Sequence, residues 1–497
     1  MLVFTLACTP PDDGRLEPRH SDTVATDSGP DTDGLERVDV VVVGSGPAGT
    51  AAALTLRERG ISVILFEREL EPGRGLVMGG RGWAADTPEQ AAAGIVDSPD
   101  AAIAEWEAVT GVPGTDPVAE AWIRGSASTL AWLGGYGLRL AAIGDDIDGG
   151  SVPRVHEFSW PDADGAGGRT LLRNLEGVVR AGVEVTAPLM LDGSLAGVRW
   201  RDVTDGSTGA TLADAVVLAT GGFLRDRDRV DAVAPELAGE RLLWETNPSS
   251  DGGGLAFLDT LGADAIHPEH IGLYVHAVQD PWLPTGEAMS FPNTWQTVLI
   301  GEDGRRFTNE ETVRSVYLGQ TAPDGEIYAL VPAALADRSD FARPYYKWPN
   351  PPEVDAYPFA EIAAVSPDVF EAETPEELAA VLGVDPDALV DTILEWNLFV
   401  AGAGADPFGR DRATTWPLFG PPWFALRLTT GLAKNFGGVA TDADGRVLDV
   451  HGAPIRGLYA AGEVTGMLPA GAAGTGFGGS VNACYWSGRR VGQLIPE

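Results

Sequence analysis

The chain has 497 residues, 44% hydrophobic and 21% charged, which is typical of a globular protein large enough for two domains. Acidic residues outnumber basic ones by 72 to 34, and the net charge of −38 argues against a nucleic-acid partner because it repels polyanions. With 2 cysteines and no CxxC zinc or CxxCH haem pattern, any redox chemistry must lie with a bound organic cofactor.

The chain begins with a short apolar run that stops at Cys8. The letters TLAC at 5–8 resemble a bacterial lipobox, in which the cysteine is lipidated after cleavage. Residues 9–36 are rich in Pro, Asp, Thr, Ser and Gly and are predicted to form a flexible tether. We therefore expect an exported protein with a lipid anchor at Cys8 in a bacterial membrane. The alternative is a cytoplasmic protein with a disordered leader.

The folded part opens with the elements of a dinucleotide-binding βαβ unit. An apolar run ends in Gly44-x-Gly46-x-x-Gly49, a helical stretch follows, and a second apolar run ends in Glu67. The glycines allow a sharp turn, close approach of the backbone to a pyrophosphate at the helix N-terminus, and tight helix–strand packing. The alternative is an ordinary glycine-rich turn. The residues assigned to the nucleotide here are Gly44, Gly46, Pro47, Ala48, Gly49, Glu67 and Arg68.

Downstream, the chain is predicted to alternate between helices, strands and a long inserted segment. The predicted helices are 120–133, 171–180, a region over 375–401, and 480–494, and 147–168 is predicted to be a loop. The predicted strands are 183–185, 195–200, 213–219 and 458–463. The middle is rich in Pro and aromatic residues, which favours an inserted domain. The predicted division is leader and tether 1–36, first nucleotide-binding part 37–261, inserted domain 262–432, and second nucleotide-binding part 433–497.

Several pieces occur in the order of one known group of proteins. They are VVVGSGPAG, ADAVVLATGGF, DGGGLAFLDTLGADAIHPEH, GEDGRRFTNEETVR, FGGVATDADGRVL, GLYAAGEVTG and GTGFGGSVNACYWSGRRVG. In these the chain resembles the fumarate reductase/succinate dehydrogenase flavoproteins (FAD-dependent oxidoreductase 2 superfamily), which include 3-ketosteroid dehydrogenases and urocanate reductases. The resemblance implies an α/β fold, in which an α+β capping domain is inserted into a Rossmann-like, glutathione-reductase-like FAD-binding domain. The implied cofactor is FAD.

The resemblance also assigns residues to the flavin. It implies that Gly221 lies against the cofactor, that Glu463 reaches the ribityl chain, and that Ser480 and Val481 lie at the pyrimidine end of the ring. The alternative for Ser480 is a simple helix N-cap. Members with a histidyl–flavin bond carry His in the loop that corresponds to 71–85, where this chain has none, so non-covalent FAD is expected.

Arg314 is the main catalytic candidate. It corresponds to the Arg of fumarate reductases that donates a proton to the substrate carbon, whereas 3-ketosteroid dehydrogenases have Tyr there. The usual relay residues correspond to Ser290 and Asn293, which cannot relay a proton in the same way. The alternative is that Arg314 pairs with a neighbouring acid, Glu310 or Glu311.

His267 corresponds to a substrate-anchoring His, the alternative being a buried His bonded to the backbone. Lys434 and Ala433 stand where dicarboxylate reductases have an anchoring His, and Gly476 stands where they have Arg. A dicarboxylate needs charge-assisted donors at both ends, so fumarate is a poor candidate. Lys434 can hold one anionic or carbonyl group; the alternative is a surface lysine. The aromatics expected to line a larger, apolar site, or else to be core of the cap, are Tyr274, Trp282, Phe291 and Trp295.

The segment 205–211 (DGSTGAT) resembles a signal for covalent FMN attachment, but we predict a hairpin turn there. Three functions remain open. The first is an FAD-dependent reductase of a C=C bond beside an electron-withdrawing group, with Arg314 as acid. The second is a 3-ketosteroid-type dehydrogenase, favoured by the run ALRL at 425–428 and opposed by the lack of Tyr at 314. The third is a non-catalytic flavin-binding electron carrier. Each implies an electron donor or acceptor that the sequence does not identify.

Overall fold

The structure is a computed structural model that describes residues 32, 34–73, 76, 80–144, 151–160, 168–268, 270–282, 285–290, 296–310, 325–338, 343–344, 359–466 and 480–496. Within these ranges the strands are β1 Glu36–Val43, β2 Val63–Glu67, β3 Arg81–Trp83, β4 Arg139–Gly144, β5 Val155–Ser159, β6 Val179–Ala181, β7 Val183–Leu191, β8 Ser194–Asp202, β9 Thr208–Leu218, β10 Leu242–Trp244, β11 Ala265–Ile266, β12 Ile271–Gln279, β13 Ala288–Ser290, β14 Val298–Ile300, β15 Ile327–Val331, β16 Arg343–Pro344, β17 Val369–Ala372, β18 Trp423–Asn435, β19 Gly438–Val439, β20 Arg446–Leu448 and β21 Pro454–Ala460. The α-helices are α1 Pro47–Glu58, α2 Pro88–Ala92, α3 Pro99–Thr110, α4 Pro117–Gly135, α5 Gly168–Arg173, α6 Arg227–Val233, α7 Gly253–Asp259, α8 Ala333–Ala336, α9 Phe359–Val365, α10 Pro375–Leu382, α11 Pro386–Val400 and α12 Ser480–Leu494.

The first sheet brings the two halves of the chain together. Its strand order is β20-β21-β9-β1-β2-β6, and β8 and β7 extend it from β9. The pairs β21–β9, β9–β1, β1–β2 and β2–β6 are parallel. A parallel sheet is covered on both faces, which explains the continuous run of buried valines at 40–43. The predicted α/β fold, with a Rossmann-like domain built from both ends of the chain, is confirmed.

Helices α1 and α12 pack so closely that the contact needs glycine. A Cβ atom placed on Gly488 would lie 1.9 Å from the carbonyl oxygen of Ala48, and one on Gly492 would lie 2.8 Å from Cβ of Thr55. The N-terminal ends of both helices consequently approach the same edge of the sheet. This packing explains how residues more than 400 positions apart can line one site.

The second sheet is centred on the long strand β18. Its order is β14-β15-β18-β12-β13-β16, and β10 and β17 also pair with β18. Its pairing with β12, β15 and β17 is antiparallel, and α9, α10 and α11 supply core residues such as Ile362, Leu378 and Trp396. This α+β unit includes β10, which precedes residue 262. The domain boundaries themselves stay predictions.

Three sequence-based assignments needed correction. The predicted helix 171–180 is wrong beyond Arg173, because the β-branched run that follows pairs in parallel with β2 as strand β6. The predicted loop 147–168 contains strand β5, which pairs with β3 and β4. The predicted strand 183–185 extends to Leu191. The hairpin prediction for 205–211 is confirmed, since β8 and β9 are antiparallel neighbours.

Cys8 and the predicted lipobox and tether up to residue 31 lie outside the described residues. In the part of the chain that is described, no helix combines the length and apolar character needed to cross a bilayer.

Candidate functional site

The turn between β1 and α1 is built for close approach of a ligand to the backbone. Gly44 has φ of 100°, and a Cβ atom on Gly49 would lie 1.8 Å from the carbonyl oxygen of Gly44, so neither position accommodates a larger residue. A Cβ on Gly46, by contrast, would meet nothing within 4 Å. Gly46 is also the N-cap of α1 and supplies no side-chain bond to the first amide groups of that helix. The helix end therefore faces open space that an anion can occupy.

This space belongs to a cavity of about 420 Å³. Thr220 lines the cavity, and its Oγ1 is buried without a hydrogen-bond partner within the described residues, which fits a site for a polar ligand. The predicted residues that line the cavity are Gly44, Gly46, Pro47, Ala48, Glu67, Arg68, Gly221, Lys434, Glu463, Ser480 and Val481. Gly49 does not line it and acts instead through its packing against Gly44.

At one end of the cavity, the carboxylate of Glu67 is held in place by the turn. It accepts hydrogen bonds from the amide of Ser45 at 2.9 Å, from the hydroxyl of Ser45 at 2.6 Å and from the amide of Glu69 at 2.9 Å. Next to it, Arg68 forms an ion pair with Asp251 and donates to the carbonyl oxygen of Ser249 at 2.8 Å. A fixed carboxylate at the end of the second strand is the arrangement that recognises ribose hydroxyls.

At the opposite end, Lys434 near the end of β18 meets the start of α12. Its ammonium group donates a hydrogen bond to Oγ of Ser480 at 2.9 Å and lies 5.3 Å from the ring centre of Phe436. Ser480 is the first described residue of α12, and residue 479 lies outside the described part, so the N-cap alternative for Ser480 stays a prediction. The alternative of a surface lysine is wrong, because Lys434 is only partly exposed and lines the cavity.

Glu463 lies close to Lys434 and is held by Asn435. The carboxylate accepts from the amide of Asn435 at 3.1 Å, and the Asn435 side chain donates to the carbonyl oxygen of Glu463 at 2.9 Å. Burial raises the pKa of Glu463 to about 7, although the hydrogen bond from Asn435 and the charge of Lys434 act in the other direction. A carboxyl group with this pKa changes charge near neutral pH.

Sequence reasoning missed Ser45, Asn435 and Glu245. Ser45 lies inside the glycine motif and was therefore detectable. Asn435 and Glu245 depend on contacts between distant segments. Glu245 is fully buried in the cavity wall, and a Cβ on Gly431 would lie 2.5 Å from its carboxyl carbon, so Gly431 makes room for it.

Several residues that the sequence analysis considered for the substrate site lie outside the described residues. They are the catalytic candidate Arg314 and the residues Glu311, Asn293, Phe291, Trp295 and Gly476, together with the side chains of Tyr274 and Ser290. Glu310 is described, and its fully buried carboxylate accepts from Arg306 at 2.8 Å and from Arg410 at 2.7 Å. Because Arg314 and Glu311 lie outside the described residues, the catalytic role of Arg314 and its pairing with a neighbouring acid both stay predictions.

The structure does not bring His267 to the cavity. The residue follows β11, has φ of 46°, is exposed, and stacks on His270 with ring centres 4.6 Å apart. Because His267 is exposed, the alternative of a buried His bonded to the backbone is wrong. Trp282 is 46% exposed and is also not part of the cavity wall. Substrate contacts by these residues remain predictions without support from the described geometry.

A glycine-lined helix N-terminus, a fixed carboxylate after the second strand and a cavity lined by both define a dinucleotide-binding protein. The chain belongs to the FAD binding domain family, whose model matches residues 39–479. The predicted cofactor, FAD, and the predicted class, an FAD-dependent oxidoreductase, are thereby confirmed. Non-covalent attachment stays a prediction.

Curated relatives and solved structures agree with this assignment. The chain is 28% identical to an NADH:fumarate oxidoreductase of Klebsiella pneumoniae over 91% of its own length, but it spans only 47% of that relative. It is 26% identical to a vinyl phenol reductase of Lactiplantibacillus plantarum, covering 92% of the chain and 96% of the relative. A 3-ketosteroid-Δ4-(5α)-dehydrogenase of Rhodococcus jostii RHA1, solved with 4-androstene-3,17-dione, is 25% identical with a TM-score of 0.66 over 92% of the chain and 96% of that structure.

Proposed function

We propose that this protein uses FAD to reduce a carbon–carbon double bond beside an electron-withdrawing group in a small molecule other than fumarate. The observation that supports it most is the far end of the cavity, where Lys434 is the cation among the described wall residues. The other cationic wall residue, Arg68, belongs to the opposite end and is paired with Asp251. Lys434 offers one positive charge at this end, and Gly476 offers no side chain for the second end of a dicarboxylate.

The relatives support a broad choice of substrate. Their names refer to fumarate, vinyl phenol and a steroid dione, which range from a small dianion to a large apolar molecule. The chain has no Arg at position 476 to hold a second carboxylate, because that residue is Gly. An enoate or enone with one polar end and one apolar end fits these features best.

Binding of the cofactor and delivery of the proton are assigned to individual residues of the protein. Bound FAD supplies the two electrons as a hydride equivalent. The turn at Gly44–Gly49 binds the pyrophosphate, and Glu67 binds the ribose. We assign to Arg314 the delivery of the proton to the neighbouring substrate carbon. The support for this role is the resemblance of the segment NEETVR at 309–314 to that of fumarate reductases.

A dehydrogenase acting on a 3-ketosteroid is the second candidate. The Rhodococcus structure favours it by covering almost the whole chain, and the missing dicarboxylate ligands agree with it. Anaerobic mixing of the oxidised protein with a saturated 3-ketosteroid distinguishes the dehydrogenase from the reductase. Bleaching of the flavin supports the dehydrogenase, and oxidation of the reduced protein by an enone or enoate supports the reductase.

The test of the proposed function is a turnover screen with reduced protein and a panel of fumarate, aryl enoates and enones. Arg314→Ala should lower turnover by about 10²–10⁴-fold while FAD stays bound, because one general acid contributes about that much. Arg446→Ala, which removes an exposed arginine on β20, is the matched control and should retain activity. Full turnover by Arg314→Ala would remove Arg314 from the mechanism. No turnover of any panel compound would favour the electron carrier.

We also propose that the chain is exported and lipid-anchored at Cys8. The support is the sequence TLAC followed by a polar tether. Incorporation of labelled fatty acid into the wild-type protein, and its loss in Cys8→Ser, is the expected result. Equal labelling of both proteins would contradict an anchor at Cys8.

A further inference from the structure

Lys434 connects the two sheets at the end of the cavity. It lies in β18 of the second sheet, and its ammonium group reaches Ser480 at the start of α12, which packs on the first sheet. The Ser480 hydroxyl accepts this bond and keeps its own hydrogen to donate elsewhere. The described part of α12 begins at Ser480, so the positive side of its macrodipole faces this place. A side-chain cation and a helix end therefore meet at one point of the cavity wall.

The order of the strands puts this point on the side of the cavity where the flavin ring would lie. The glycine turn would hold the pyrophosphate of FAD at the start of α1, and Glu67 would hold the adenosine ribose. The ribityl chain and the isoalloxazine ring would then extend to the other side of the turn. The strand order β21-β9-β1-β2 puts Glu67, which ends β2, and Glu463, which follows β21, on opposite sides of the turn after β1. Lys434 and Ser480 are wall residues on the Glu463 side.

We propose that Lys434, together with Ser480 and the start of α12, stabilises the negative charge that the flavin gains on reduction, so that Lys434 acts on the cofactor rather than on the substrate. Two electrons and one proton convert oxidised flavin into its anionic reduced form. The electrons come from dithionite in the test below and from the protein's electron donor in the cell. The inference rests on the FAD site and deepens the proposed function by assigning the cation of that site to the flavin.

The surroundings of Lys434 favour a lasting positive charge. The Phe436 ring face attracts the ammonium group, and the Ser480 hydroxyl satisfies one of its hydrogens. The carboxyl group of Glu463 is close by, but burial raises the pKa of Glu463 to about 7, so this carboxyl is largely protonated below neutral pH and then neutralises less of the lysine charge.

The test is the two-electron midpoint potential of the flavin, measured by dye equilibration with dithionite on the FAD-loaded protein. Lys434→Met keeps the length of the side chain and removes its charge. We expect it to lower the ratio of reduced to oxidised flavin about tenfold at a fixed potential, a shift of about −30 mV for a two-electron couple. Lys434→Arg should stay near the wild-type potential. Arg446→Met removes an exposed positive charge outside the cavity wall and serves as the control for net charge.

Ser480→Ala provides a second test that leaves Lys434 in place. It removes the acceptor of the lysine bond, and we expect a shift in the same direction as Lys434→Met but smaller. Affinity for oxidised FAD, measured by titration of the apoprotein, should change less than affinity for reduced FAD. An unchanged potential in Lys434→Met, or an equal shift in Arg446→Met, would overturn the proposal. A raised KM for an enoate at unchanged potential would make Lys434 a substrate ligand.

The potential is measured without substrate, so the outcome is independent of the turnover screen. If the protein reduces no compound of the panel but shows the expected shift in potential, the proposed function is contradicted and this inference is not. A protein that turns over an enone with no shift in Lys434→Met contradicts this inference alone.

Discussion

Ser45 donates two hydrogen bonds to one oxygen of Glu67, from its amide at 2.9 Å and from its hydroxyl at 2.6 Å. The serine lies between two glycines of the turn, and the glutamate ends the neighbouring strand, 22 residues further along. The same hydroxyl accepts from the amide of Gly73 at 2.8 Å. The pyrophosphate turn and the ribose-binding carboxylate are therefore one hydrogen-bonded unit.

Substitutions in this unit should be strongly coupled. Glu67→Gln should weaken FAD binding by about 1.5–3 kcal/mol, since a charged hydrogen-bond acceptor is lost. Ser45→Ala should weaken it as well by releasing Glu67. The effects of the two should not add, and a double-mutant cycle on FAD affinity should give a coupling energy of about 0.5–3 kcal/mol. Strict additivity would show that Ser45 does not position Glu67.

Substitutions of the second and third glycines of the turn, Gly46 and Gly49, should have different effects. Gly49→Ala should destabilise the apoprotein by about 3 kcal/mol or more, because its Cβ would lie 1.8 Å from the Gly44 carbonyl oxygen. Gly46→Ala should leave the free energy of unfolding of the apoprotein within about 0.5 kcal/mol, since its Cβ meets open space and its φ of −67° suits alanine. It should nevertheless weaken FAD binding about tenfold or more.

Chemical denaturation of the apoproteins and titration with FAD check this pair. Equal loss of stability in both variants would contradict the assignment of Gly46 to the cofactor, and so would unchanged FAD affinity in Gly46→Ala.

The βαβ unit was predictable because its signals are local. The valine run of β1, the glycine spacing and the acid at the end of β2 lie within about 30 residues, and a parallel βαβ unit has few other ways to fold. The final helix was predicted at its observed bounds for the same reason. Strand β6 was missed because its assignment depends on pairing with the edge of β2, more than 100 residues away in sequence.

The site was predictable only in part, because some of its residues come together only through contacts between distant segments of the chain. The residues at the glycine turn are close in sequence. Glu245, by contrast, reaches the cavity through the pairing of β10 and β18, and Asn435 at the end of β18 contacts the wall residue Glu463. His267 was assigned from its neighbours along the chain, Ile266 and Pro268. The structure instead places it on the surface beside His270.

Glu463 should make the stability of the apoprotein depend on pH. Burial raises the pKa of Glu463 from 4.5 to about 7, so the folded state binds its proton more tightly than the unfolded state. Its contribution is complete below about pH 4.5 and is lost as the pH rises through 7, with a total on the order of 3 kcal/mol. Glu463→Gln should remove this dependence.

Denaturation curves of wild type and Glu463→Gln over this pH range isolate the effect. The buried acids with lowered pKa, such as Asp97 and Asp368, act equally in both proteins and cancel in the difference. A difference in stability that is constant with pH would contradict a protonated Glu463.

The buried ion cluster of the second sheet should be costly to break. Glu310 is held by Arg306 and Arg410, and Arg306 also pairs with Asp406, all within the protein interior. Glu310→Gln should destabilise the protein by about 3–5 kcal/mol, because it leaves buried guanidinium charge without a partner. Thermal and denaturant unfolding measure the effect. A loss below about 1 kcal/mol, the size typical of exposed pairs, would mean that water reaches the cluster.

The most direct test of the central claim is a single-turnover experiment. The FAD-loaded protein is reduced anaerobically and mixed with each enoate and enone of the panel, while flavin absorbance and product are followed together. The account predicts that at least one compound reoxidises the flavin and yields one saturated product per flavin. A flavin that stays reduced with every compound, or a purified protein that binds no FAD, would contradict it.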